Sequence, residues 1–186
     1  MLGLTVAAMA LAAVACTRDS VGECAELAPG DLVITEFRGE QTTEDIDPIW
    51  VEVYNASSGT LDLEGVKIRF RKVDGSSEVP ILVRRSVTVP AGDYAVLGLI
   101  SDILRPEYMD YGFGDDFHVG FLAAAAVDIE TCGTQIDRAR YDNLPKTGTY
   151  SFGGTPSAEN NDVLTMWCTN DSFNGTPGEM NPPCPP

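Results

Sequence analysis

Histidine, paired metal-binding cysteines, basic residues and long apolar helical patterns are all scarce or missing here, and each shortage closes off a class of function. A single histidine, His118, stands among 186 residues. Nucleophilic catalysis needs a Ser or Cys beside a base that a third group orients. His118 lies in Phe117-His118-Val119-Gly120, between apolar neighbours, and reads as a packed or surface strand residue. No nucleophile elbow, P-loop or dinucleotide fingerprint is present, so the chain is not expected to be an enzyme or to carry a cofactor. None of the five cysteines shows the CxxC spacing of a zinc site. Apolar residues never hold a period of 3.6 beyond about two turns, so the crossover helices of a doubly wound fold are missing. Only 12 Lys+Arg face 28 Asp+Glu, giving a net charge of -16. Such a surface repels phosphate backbones, which argues against nucleic acid as a partner. The nearest thing to a basic patch is Lys67, Arg69, Arg71 and Lys72, with Arg84 and Arg85 nearby, and it reads as the solvated face of a strand.

What is present begins with a leader. The first fifteen residues carry no charge and are rich in Ala, Leu, Val and Met. They are too short to span a bilayer but suit the apolar core of an export signal. Ala13-Val14-Ala15-Cys16 resembles the lipobox of bacterial lipoproteins, which implies acylation of Cys16 and a lipid anchor in the outer membrane or at the cell surface. An ordinary secretory signal cut near Ala15 is the alternative, leaving a soluble periplasmic or secreted protein. Residues 17–28 read as a tether and 29–184 as one domain. Four further cysteines, Cys24, Cys132, Cys168 and Cys184, form an even set that implies two disulfides in an exported chain. Three pairings are open; Cys24–Cys184, joining the ends, with Cys132–Cys168 is the preferred one.

Eighteen Gly and twelve Pro punctuate the domain into short runs. Strands are expected over residues 31–37, 49–54, 66–71, 79–83, 86–89, 94–100, 117–122, 124–130 and 135–141. The second run places Ile49, Val51 and Val53 on one face and Trp50, Glu52 and Tyr54 on the other. Trp50 and Tyr54 are then expected to form an aromatic cluster. Residues 101–116 read as a long polar and aromatic loop. Eight to ten short strands with regular turns predict an all-β, immunoglobulin-like antiparallel β-sandwich.

Five segments in this order also resemble the lamin-tail domain, an immunoglobulin-like sandwich of nuclear lamins and bacterial surface proteins. They are Gly30-Asp31-Leu32-Val33-Ile34-Thr35-Glu36, Trp50-Val51-Glu52-Val53-Tyr54-Asn55, Leu61-Asp62-Leu63-Glu64-Gly65, Val89-Pro90-Ala91-Gly92 with Tyr94, and Gly175-Thr176-Pro177-Gly178 followed by Asn181. The resemblance covers roughly residues 29–181 and implies framework roles. Glu36 and Glu52 would accept hydrogen bonds from backbone or Asn55, and Pro177-Gly178 would form a closing turn.

The expected function is a non-catalytic surface module that meets a protein or glycan. Its contact surface is sought in residues 101–116, where Pro106, Tyr108, Met109, Tyr111 and Phe113 are the side chains interfaces favour. Two alternatives stand beside it. One is an accessory domain assisting an exported hydrolase or nuclease in trans. The other is a calcium-binding extracellular module, for which Glu44, Asp45 and Asp47 in one loop and Asp115 and Asp116 in another are the oxygen donors.

Overall fold

Short alternating runs of β-branched and aromatic residues favour strands over any other regular structure. The computed structural model describes residues 24–42, 47–116, 120–172 and 175–186. Among them the strands are β1 (Leu32–Arg38), β2 (Trp50–Asn55), β3 (Leu61–Asp62), β4 (Lys67–Arg71), β5 (Glu78–Leu82), β6 (Thr88–Val89), β7 (Tyr94–Gly98), β8 (Tyr111–Gly112), β9 (Ala125–Thr131), β10 (Thr134–Tyr141), β11 (Thr149–Phe152) and β12 (Trp167–Asn170). The leader with Cys16, together with Glu44, Asp45 and His118, lies outside the described residues.

The protein is an all-β, immunoglobulin-like sandwich. One sheet has the order β12-β11-β1-β2-β7-β8 and the other β10-β9-β4-β5, with β3 and β6 as a small separate ladder. Every pairing is antiparallel except that of β8 with β7. Val51 and Val53 of β2 and Ala95 and Leu97 of β7 meet Ile68, Phe70, Ile81, Val127 and Ile129 of the facing sheet in one core. Each fully buried aliphatic or aromatic side chain there contributes about 1.5–3 kcal/mol. Phe37 ties the layers together, edge-on to Tyr141 at 5.1 Å and stacked on Trp167 at 5.7 Å.

The outer faces of the two sheets differ. That of the four-stranded sheet is solvated, and its basic ladder is neutralised across strands. Arg69 pairs with Glu78 and Glu130, and Arg71 and Arg138 both pair with Asp128. The face of the six-stranded sheet is roofed by chain, so every residue of β1 is buried.

Several expectations change. Trp50 and Tyr54 do share the outer face but form no common cluster: Tyr54 lies on Tyr94, with centroids 4.9 Å apart, while Trp50 packs with Val96 and Met109. Residues 120–122 belong to no strand, and β11 and β12 are strands the pattern did not suggest. Within the stretch read as a tether, Ala25 and Leu27 pack on the core.

The disulfides are Cys24–Cys132 and Cys168–Cys184, not Cys24–Cys184 and Cys132–Cys168. The reason is topological. Cys132, at φ 50°, sits in the β9–β10 hairpin turn. The segment before β1 runs beside that hairpin, with the Thr131 hydroxyl donating to the Ala25 carbonyl and the Gly30 N–H to the Ile136 carbonyl at 2.8 Å. That brings Cys24 to a Cα–Cα distance of 5.4 Å from Cys132. The C-terminal segment returns past edge strand β12, where Cys184 meets Cys168 at 5.7 Å. Two such links fit an oxidising compartment. Among the described residues no helix is long and apolar enough to cross a membrane.

Candidate functional site

Two elements roof the six-stranded sheet, and the residues singled out in the sequence converge on them. The first is the segment 101–116. Gly98, at the end of β7, makes its seat: a Cβ there would overlap the Met109 thioether, so the missing side chain lets Met109 lie flat on the sheet beside Trp50 and Val96. Met109, Tyr111 and Phe113 are only 2%, 4% and 1% exposed, and Tyr108 is half-buried against the Trp50 cluster. These side chains therefore do not form the contact surface expected of them; they fasten the segment to the sandwich. Phe113 bridges to Ser101 and stacks towards Phe121, which lies 4.3 Å from Phe70. The Tyr111 hydroxyl donates to the Leu82 carbonyl and accepts the Arg84 N–H, both at 3.2 Å.

Charge completes the fastening. Arg85 reaches both oxygens of Asp102 at 2.6 and 2.8 Å, donates to the Asp110 carbonyl and lies over the Tyr111 ring at 5.4 Å. This forked pairing is the strong form of an ion pair. It holds the Asp102 carboxyl below the usual carboxylate range, whereas burial pushes Asp110 up. A cleft of about 300 Å³ opens here, lined by Arg84, Arg85, Asp102, Tyr111, Asp115 and Asp116.

Of the calcium candidates, Asp116 is ion-paired with Arg84 at 2.7 Å and Asp115 accepts from the Ser101 hydroxyl at 3.2 Å. The Asp47 carbonyl accepts from Arg38. Among the described residues no group of three or more His, Cys, Asp or Glu is arranged to hold a metal ion.

Beside the charged Arg105, Glu107, Asp110 and Asp115, this roof presents two aliphatic side chains to solvent. Ile103 and Leu104 are 88% and 68% exposed on a single 3-10 turn, Asp102–Leu104. The turn is held from below by the Asp102–Arg85 pair and by Arg105, which donates to the Asp102 carbonyl at 2.7 Å and the Met109 carbonyl at 3.0 Å. The one signal of this pair in the sequence is two adjacent aliphatics in an otherwise polar stretch.

The second roof is the C-terminal strap, residues 175–186, which covers two buried carboxylates. Glu36 and Glu52 are directly opposed across β1 and β2. A bulge at Thr35 turns its hydroxyl outward as well, to donate to Glu52 at 2.7 Å. Glu36 accepts from the hydroxyls of Thr149 and Ser151 and from the N–H and hydroxyl of Thr176. Glu52 accepts the Gly178 N–H at 2.7 Å, and Asn181 donates to the Thr35 carbonyl at 3.0 Å.

Thr176, Pro177 and Gly178 make a turn closed by Glu179 N–H to Thr176 carbonyl at 3.0 Å, with Gly178 at φ 81°. Gly175 is needed for two reasons: its φ is +68°, and an added Cβ would stand 2.6 Å from the Glu36 carboxylate. Burial raises the pKa of Glu36, and burial followed by the charge of Glu36 raises that of Glu52 well above the ordinary value. Asn55 bonds elsewhere, to the carbonyls of Gly59 and Val89 at 2.8 Å each, so the two acids are served by the strap and neighbouring strands instead.

No protein-family model matches the chain, and no curated protein matches it.

Proposed function

We propose that this chain is a non-catalytic, exported binding module of the lamin-tail kind, held at the cell surface by a lipid on Cys16. It meets a partner protein through Ile103 and Leu104. The observation that carries this reading is the mismatch between base and tip of the 101–116 segment. Its base is fastened by Met109, Tyr111, Phe113 and the Arg85–Asp102 fork. Its tip leaves two aliphatic side chains 88% and 68% exposed. A fixed apolar knob loses little conformational freedom on docking, which favours a pocket-forming partner.

The lamin-tail reading is supported by contact between the segments that suggested it. Thr176, Gly178 and Asn181 bond to Glu36, Glu52 and Thr35. Export is supported by the two disulfides. The lipid anchor rests on the leader alone.

The test compares wild type with the Ile103→Asp/Leu104→Asp variant after cross-linking in intact envelopes and quantitative mass spectrometry. A partner enriched by wild type and lost with the variant, at unchanged melting temperature, supports the reading. An identical partner set refutes it, and a hydrolase or nuclease as the lost partner assigns the module to assisting that enzyme. Fatty-acid-analogue labelling of the full chain, abolished by Cys16→Ser, tests the anchor separately.

A further inference from the structure

Away from both roofs, a hollow of about 340 Å³ lies where the chain passes from β10 of one sheet to β11 of the other. It is lined by the buried Tyr141 and by the half-buried ring of Tyr150. This ring stacks on Trp167 at 5.1 Å and 20°, and Trp167 in turn stacks on Phe37 at 5.7 Å and 25°. Trp167 is fixed further by its indole N–H, which donates to the Asn161 carbonyl at 2.7 Å. The half-buried Tyr150 is thus the outermost plate of a stack rooted in the core, a flat surface that no ligand has to order.

Around it stand Arg140, Asp142 and Asn143, all exposed and none hydrogen-bonded or ion-paired through its side chain within the described residues. Leu164, 50% exposed, forms the apolar side of the rim.

We propose that this hollow is a binding site for a pyranose ring of a glycan. The chemistry selects that class in three ways. A pyranose presents a face of C–H bonds, which suits the electron-rich face of an aromatic ring. It presents vicinal hydroxyls, each donor and acceptor at once; Arg140 only donates, Asp142 only accepts and Asn143 does both. One cation and one anion leave the rim without net charge, which favours a neutral polyol over a phosphate or carboxylate. The volume is in the range of small-molecule sites, about 300–1,000 Å³. This site is separate from the Ile103–Leu104 knob, and either can stand without the other.

Saturation-transfer NMR on the folded protein tests it, with the methyl α- and β-glycosides of glucose, galactose, mannose and N-acetylglucosamine as probes. Transfer to the ring C–H protons of at least one glycoside is expected. Asp142→Ala and Asn143→Ala should each weaken binding about tenfold, the size of one lost good hydrogen bond. Both side chains are exposed and unbonded, so the melting temperature should not move. Tyr150→Ala should abolish transfer, and Tyr150→Phe, which keeps the plate, should retain it. Silence from all eight probes overturns the proposal. So does undiminished binding in the Asp142 and Asn143 variants.

Discussion

Asp137→Asn should make this protein more stable at neutral pH, although it removes a buried, hydrogen-bonded carboxylate. Asp137 lies on β10, 3% exposed, and its Oδ2 accepts both the Ile34 N–H and the Asn161 side-chain N–H at 2.8 Å. Its Oδ1 and the Oδ1 of Asn161 have no hydrogen-bond partner. Burial pushes the carboxyl from 3.8 up to about 6, against the lowering effect of those hydrogen bonds and with a small further rise from Asp162. The folded-state pKa is thus raised. The stabilisation tied to the proton is complete below 3.8 and is lost as pH climbs through about 6. A gap of about two pH units, at about 1.4 kcal/mol each, puts the loss near 3 kcal/mol.

An asparagine never ionises. Its carbonyl can take both donors, and its amide nitrogen supplies a donor where two acceptors stand without one. The variant should therefore gain ~2 kcal/mol at about pH 8, or roughly 4–8 °C in melting temperature for a domain of this size. It should match wild type at about pH 4, where Asp137 holds its proton. Urea unfolding at both pH values is the assay. A variant less stable than wild type at about pH 8, or offset equally at both pH values, would refute the reasoning.

Three other outcomes are expected. Glu52→Ala strands the Gly178 N–H and Thr35 hydroxyl and leaves a void, at a cost of about 3–5 kcal/mol, whereas Glu52→Gln can serve both groups and should stay within about 1 kcal/mol of wild type in urea titrations at neutral pH. Non-reducing peptide mapping should find Cys24–Cys132 and Cys168–Cys184. The sequence separations of 108 and 16 make loss of the first cost more, roughly 4.7 against 3 kcal/mol by loop closure; a Cys24–Cys184 peptide would contradict the fold. Ile103→Asp/Leu104→Asp should leave thermal stability within about 0.5 kcal/mol, while Met109→Ala, in the seat over Gly98, should cost about 2–5 kcal/mol.

The sandwich was legible because most strands alternate. β2 and β4 read correctly to within a residue or two, and their inward residues are the ones in the core. Alternation is no guide where neither face of a segment meets water. β1 is buried throughout, and only its β-branched content marked it. β11 is four residues long and β12 opens directly after a 3-10 turn, so no period could develop in either. The disulfides failed for another reason. Pairing follows which loop lies beside which, and nothing in the spacing of Cys24 reveals that its segment runs along the β9–β10 hairpin. At the 101–116 segment the sequence shows the residue types but not the direction in which they point. Aromatic rings and Met suit a docking surface and a buried fastening equally, and the decisive feature was Gly98, whose bare backbone receives Met109.

The asymmetry between the two outer faces organises the molecule. A two-layer sandwich needs only one buried face per sheet, and the four-stranded sheet obeys this with a solvated ladder of Arg, Glu and Asp. The six-stranded sheet instead accepts two roofs of irregular chain. Irregular backbone brings polar groups that must be satisfied once buried, which accounts for the outward side chains beneath the strap. Glu36, Glu52, Thr149 and Ser151 are the hydrogen-bonding partners that the strap's N–H groups and each other require. Beneath the other roof the sheet offers Trp50 and Val96, because that segment brings Met109. Each strip of the sheet is thus matched in polarity to what covers it. Outside those matched strips, Ile103 and Leu104 stay exposed at the tip of the 101–116 segment, and the Tyr150 ring of β11 is only half-buried.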